Sequence, residues 1–142
     1  MIGLVVVGHG NFGTGLTSSL NLIAGEQKDY FGIDFLQEDT PEILEAKLKK
    51  AFDSLSNCDG IIVMADLAGG SPFKVAATLA QSYDSIEVIG GSNLPMLCEI
   101  AMARSVVNDL NSLVTMAVNT GRNQIMKFEI KKPQAVDETD GI

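Results

Sequence analysis

Apolar positions in this chain fall into two alternating patterns, short unbroken runs and longer stretches at helical spacing. Ile2 to Val7 and Gly60 to Ala65 are continuous runs rich in β-branched residues, as suits strands covered on both faces of a parallel sheet. Tyr30 to Phe35 and Ile86 to Ile89 are shorter runs of the same kind. Between them, Leu16, Leu20, Ile23 and Ala24 recur at helical spacing before Gly25, which stands where a C-terminal cap belongs. Thr40-Pro41 supplies an N-cap and a proline at the first helical position for a stripe of Leu44, Leu48, Ala51, Phe52 and Leu55. Ser71-Pro72 opens a helix through Val75, Ala76 and Leu79, and Pro95 lies near the start of one through Met96, Ile100 and Ala103. A further helix is predicted from about Asp109 to Thr120, ended by Gly121, and then a short last strand through Ile125, Phe128 and Ile130.

Strand and helix alternating in this way predict an α/β fold. It is a single domain with an open central parallel sheet, helices on both faces, and strand order 2-1-3-4. The domain spans 1–130; residues 131–142 are polar and acidic and read as a flexible tail or the stub of a linker. In such sheets ligands bind beyond the carboxyl ends of the strands where the strand order reverses, here between strands one and three.

Composition narrows the function. Of 142 residues, 10 are Lys or Arg and 18 Asp or Glu, a net charge of −8, which leaves no basic surplus for a nucleic-acid backbone or an anionic membrane. The mean hydropathy of +0.20 belongs to buried strands, since no apolar run approaches the roughly 20 residues that span a bilayer. With no secretory pattern at Met1-Ile2-Gly3, a cytoplasmic location is expected. Cys58 and Cys98 are far apart with a single histidine to share, so they read as two buried thiols, neither a zinc site nor a redox motif.

The unusual residues follow strands one and three. Gly8-His9-Gly10-Asn11-Phe12-Gly13 formally matches the G-x-G-x-x-G of a dinucleotide site, with Asp34 available for a ribose. That reading leaves no room for a substrate domain and gives His9 no role. His9 is the only histidine, and its glycine neighbours leave its imidazole accessible. Strand three ends in Asp66-Leu67-Ala68-Gly69-Gly70-Ser71-Pro72-Phe73, which brings a carboxylate to the same end of the sheet. Asp66 is placed to accept from His9 Nδ1–H, leaving Nε2 unprotonated and nucleophilic. Gly69 and Gly70 admit a close ligand, and Ser71 with the following helix N-terminus offers a hydroxyl and free N–H groups to an anion. Each feature separately also reads as ordinary loop and cap chemistry; together they describe a nucleophile, its orienter and an anion cradle. Metal ligands, a Walker lysine, a carboxylate pair and a nucleophile elbow around Ser71 are all missing from the sequence pattern.

Three blocks resemble the IIA component of the mannose-type bacterial phosphoenolpyruvate-dependent sugar phosphotransferase system. They are Val7-Gly8-His9-Gly10 with Gly15-Leu16, Asp66 with Gly69-Gly70-Ser71-Pro72-Phe73, and Gly91-Ser92-Asn93-Leu94-Pro95-Met96. The resemblance implies a cytoplasmic homodimer, often with the last strand exchanged between subunits, and no bound nucleotide, cofactor or metal. It implies that His9 is phosphorylated by the phosphocarrier HPr and passes the group to a IIB component for sugar uptake. By the same resemblance Asp66 orients the imidazole, and Gly10, Gly69, Gly70 and Ser71 lie around the phosphoryl group. Phe12, Leu67, Pro72, Phe73, Asn93 and Pro95 form the rim. Lys74 and Leu67-Ala68 depart from the residues usual in the family, which bears on partner preference. The related phosphocarrier of the dihydroxyacetone kinase system is the nearest alternative, and Gly69-Gly70-Ser71-Pro72-Phe73 favours the sugar branch.

Overall fold

The computed structural model describes residues 1–133, so residues 134–142 of the expected tail lie outside the described residues. Nine elements follow one another: β1 (Ile2–His9), α1 (Phe12–Ala24), β2 (Tyr30–Phe35), α2 (Pro41–Ser54), β3 (Gly60–Ala65), α3 (Ser71–Ala80), β4 (Ile86–Ile89), α4 (Leu94–Ala103) and α5 (Leu110–Asn123). The four strands make one sheet in the order β2-β1-β3-β4, every pairing parallel. This is the order expected from the sequence.

Side chains on successive residues of a strand point to opposite faces, and the core divides accordingly. Leu4, Val6, Ile62 and Met64 pack with Leu20 of α1 and with α4 and α5. Val5, Val7, Ile61, Val63 and Ala65 pack with Leu44, Leu48, Ala51 and Phe52 of α2 and Ala76 of α3. Burying each large aliphatic side chain contributes about 1.5–3 kcal/mol, which fixes the ends of β1 and β3 side by side.

Glycines let helix and sheet approach. A Cβ on Gly13 would lie 2.3–2.6 Å from the backbone of Ile33, and one on Gly8 would lie 2.6–2.7 Å from Phe12. Two of the three glycines of the dinucleotide-like pattern, Gly8 and Gly13, therefore serve the packing of α1 against β1 and β2, while Gly10 has open space around it and φ +57°. Asp34 is taken up as well: its carboxylate accepts from Thr14 N at 2.8 Å and Thr14 Oγ1 at 2.6 Å, so an acid of the chain itself occupies the start of α1. That negative charge sits where a pyrophosphate would need free N–H groups.

Several sequence expectations are corrected. Gly121 does not end α5 but lies buried inside it, because a Cβ there would meet Met96 Cε at 2.7 Å; the residue permits α5 to approach α4. Ile23 faces solvent on the outer side of α1. The cysteines are half-buried free thiols, and burial raises the pKa of each. Within one chain the last strand through Ile125, Phe128 and Ile130 is absent: residues 125–133 have no regular structure and pair with no strand among the described residues, while the form exchanged between subunits lies outside a single chain.

Candidate functional site

His9 is the last residue of β1, and Asp66 follows the last residue of β3. Because Val7 pairs with Ala65 in parallel register, both side chains emerge at the same carboxyl edge, where the chain order reverses. Asp66 Oδ2 lies 2.7 Å from His9 Nδ1 and accepts from the His9 backbone N–H at 2.9 Å, while Oδ1 accepts from Leu67 N–H at 2.8 Å. Burial disfavours the charged carboxylate, but these three N–H donors outweigh it and hold the Asp66 pKa below the ordinary carboxyl value. An ionised Asp66 can only accept, so Nδ1 is the donor in this contact, and in the neutral imidazole that tautomer leaves the lone pair on Nε2. Nε2 makes no hydrogen bond among the described residues, and 46% of the His9 side-chain surface is exposed against 12% for Asp66.

The loop after Asp66 brings the start of α3 toward the imidazole. Gly69 has φ +80°, a left-handed conformation that a side chain would strain. A Cβ on Gly70 would sit 3.2 Å from His9 Cε1, so the backbone lies against the ring. Gly70 is the N-cap of α3 without a side-chain cap, and Pro72 in the first turn has no N–H to satisfy. The Ser71 and Phe73 N–H groups and Ser71 Oγ find no hydrogen-bond partner among the described residues, which leaves a helix terminus with unfilled donors beside the ring. On the other side Gly10, at φ +57°, donates its N–H to Phe35 O at 2.7 Å.

Thus Asp66 and Gly70 lie against the imidazole of His9, and Gly10, Gly69 and Ser71 adjoin these three residues in the chain. Of the remaining predicted residues, Leu67 is 60% exposed next to the pair. Phe12 packs over Gly8, Pro72 is buried, and Phe73 packs on the α2 and α3 side of the core. Asn93 works behind the site: Oδ1 caps α4 by accepting from Met96 N at 3.1 Å, and Nδ2 donates to Gly121 O at 2.9 Å. Pro95 lies in the first turn of α4, and Ser92 N donates to Ala65 O at 3.0 Å, which anchors the residue preceding Asp66. No hydrogen bond links Asn93 or Pro95 to His9 among the described residues. Sequence reasoning missed Phe35, whose ring meets the imidazole edge-on with centroids 5.9 Å apart and planes at 61°. The signal was available, since the order 2-1-3-4 puts the end of strand two beside His9.

Comparison with known proteins adds an independent line. Residues 3–118 match the model of the family described as EIIA-man, PTS system fructose IIA component. The chain is 33% identical over 130 residues to the PTS system mannose-specific EIIAB component of Escherichia coli (strain K12), covering 92% of this chain and 40% of that protein. It therefore spans about two-fifths of the length of that relative. It is 27% identical over 120 residues to the PTS system fructose-specific EIIA component of Bacillus subtilis (strain 168), covering 82% of each. Among solved structures, phosphotransferase system component EIIA from Streptococcus agalactiae superposes with a TM-score of 0.83 at 33% identity, over 89% of this chain and 97% of that one. The mannose/sorbose specific IIA subunit from Enterococcus faecalis gives 0.84 at 26% identity, over 93% and 98%.

Proposed function

The chain belongs to the EIIA-man family of PTS system fructose IIA components, and from that membership we propose that it is a phosphoryl carrier working through His9. It accepts the group from phosphohistidine on HPr and passes it to a IIB component, which phosphorylates sugar during uptake. The observation that carries this reading is the 2.7 Å contact between His9 Nδ1 and Asp66, which commits one nitrogen of a ring whose side chain is 46% exposed and leaves Nε2 without a hydrogen bond among the described residues.

In the transfer, the Nε2 lone pair attacks phosphorus as the P–N bond to the donor imidazole breaks and the donor ring keeps that electron pair. No proton needs to leave His9, because Nδ1 keeps its hydrogen and goes on donating it to the Asp66 carboxylate. The ring becomes formally cationic, and the Asp66 carboxylate stabilises it at hydrogen-bond distance. The free N–H groups of Ser71 and Phe73 and the Ser71 hydroxyl receive the phosphoryl oxygens, while Gly10, Gly69 and Gly70 keep the approach open. Transfer to IIB runs the same step in reverse, so positioning and charge stabilisation do the catalytic work. Leu67 is the rim residue best exposed for contact with either partner. No helix among the described residues is long and apolar enough to cross a membrane.

The functional unit is a homodimer. Ile125, Met126, Phe128 and Ile130 are 74–84% exposed in the single chain, and a cavity of about 470 Å³ is lined by Val88 and Ile89 of β4, Val114 and Val118 of α5, and Ile125 itself. Seating this segment on a second copy buries it. Light scattering at micromolar concentration is expected to give twice the chain mass, and a monomeric mass contradicts the pairing. The carrier reading itself is tested by incubation with phosphoenolpyruvate, enzyme I and HPr. One acid-labile phosphoryl group is expected per chain, and its absence in the intact protein sinks the proposal.

A further inference from the structure

β1 has two neighbours in the sheet, and each sends one residue to His9. From β3 comes Asp66, which fixes Nδ1. A single hydrogen bond still leaves the ring free to swing about it. From β2 comes Phe35, the register partner of His9, whose ring stands edge-on to the imidazole at 5.9 Å and whose carbonyl holds Gly10 N–H at 2.7 Å. Phe35 is itself held. The Asp34 carboxylate before it is bound to Thr14, and Lys47 Nζ reaches Asp34 O at 3.2 Å and Asp39 Oδ2 at 2.8 Å. The ring also packs on the α2 side of the core.

We infer that Phe35 is a positioning residue for the phosphoryl-accepting imidazole: it limits the swing that Asp66 leaves and keeps Nε2 on the line of transfer. This rests on the reading of His9 as the carrier. Edge-on aromatic contact fixes orientation in a way that an aliphatic side chain of similar bulk does not, and small misplacements of a reacting atom are costly in rate.

Single-turnover transfer from phospho-HPr, measured over a range of donor concentrations, separates positioning from docking. Phe35→Leu is expected to lower the maximal rate about tenfold with the half-saturating donor concentration unchanged within about twofold, and Phe35→Tyr to recover most of the rate. Nitrogen NMR of His9 is expected to show the proton still on Nδ1 in all three proteins. Should Phe35→Leu fail to fold, Phe35→Met takes its place under the same criteria. Transfer by the aliphatic variant within about twofold of the intact protein overturns the inference. So does a loss expressed only in half-saturation, or an equal loss in Phe35→Tyr. If the intact protein takes no label at His9, the carrier reading fails and this inference with it, an outcome read before any variant is compared.

Discussion

Replacing Asp66 by Asn removes one charge and almost no volume, so its effect on transfer traces to charge and hydrogen bonding alone. Asp66 accepts three N–H bonds, two on Oδ2 from His9 and one on Oδ1 from Leu67. An amide has one acceptor and one donor end, so it cannot replace this set. With its oxygen toward His9, the NH₂ group faces Leu67 N–H; with its NH₂ toward His9, it meets the backbone N–H and forces the ring proton onto Nε2. Charge-assisted hydrogen bonds are about twice as strong as neutral ones, and leaving a donor unpaired costs about 1–3 kcal/mol. Adding the lost stabilisation of a cationic ring, the transfer barrier rises by about 2–4 kcal/mol, which corresponds to a slowing of roughly 30- to 1000-fold. Rapid-quench measurement of label transfer from phospho-HPr reads this directly, with thermal unfolding confirming that the variant stays folded. A rate within about threefold of the intact protein removes Asp66 from the mechanism.

The same contacts set other outcomes. The lowered pKa of Asp66 means that its contribution to stability is fully present above the ordinary carboxyl pKa of about 4 and is lost as pH falls through the lower folded value. The difference in unfolding temperature between the intact protein and Asp66→Asn is therefore expected to be constant from about pH 6 to 8 and to shrink below about pH 4, and a gap that widens there contradicts the shift. Gly13→Ala drives a Cβ into the Ile33 backbone, which cannot give way; a loss of about 3 kcal/mol or more by urea unfolding is expected, and a loss under about 1 kcal/mol refutes the contact. Gly70→Ala puts a methyl 3.2 Å from His9 Cε1 at a backbone angle that any residue adopts. It is expected to slow transfer about tenfold while shifting the unfolding temperature by only a few degrees; undiminished transfer shows that the ring has room to spare.

Much of this architecture is legible because burial imposes periodicity. The runs from Tyr30 to Phe35, Gly60 to Ala65 and Ile86 to Ile89 match their strands residue for residue, and Thr40-Pro41 caps α2 as its residue types dictate. The His9–Asp66 pair follows from two strand ends and a sheet order. What escaped was decided by tertiary contact. Gly121 has the residue type of a helix stop, yet the closeness of Met96 places it inside α5. The amide of Asn93, a residue expected at the rim, also joins α4 to α5, a structural part that its place in the sequence does not announce. Ile125, Phe128 and Ile130 have a strand's composition, but composition does not choose a pairing partner, and among the described residues of the single chain they pair with no strand. Arg104 carries no sequence signal of burial. Nevertheless it is 3% exposed, donating to Ile2 O and Asp29 O at 2.9 Å and also to Lys28 O, so backbone carbonyls offset its desolvation.

The most direct measurement is the site of labelling itself. The protein is incubated with phosphoenolpyruvate, enzyme I and HPr, and the intact mass is read beside that of His9→Gln, before and after mild acid. One added phosphoryl group on the unsubstituted chain, released by acid and missing from His9→Gln, is the result expected of an imidazole held by Asp66 with Nε2 open. A label that survives the His9→Gln substitution, or that resists acid, contradicts it.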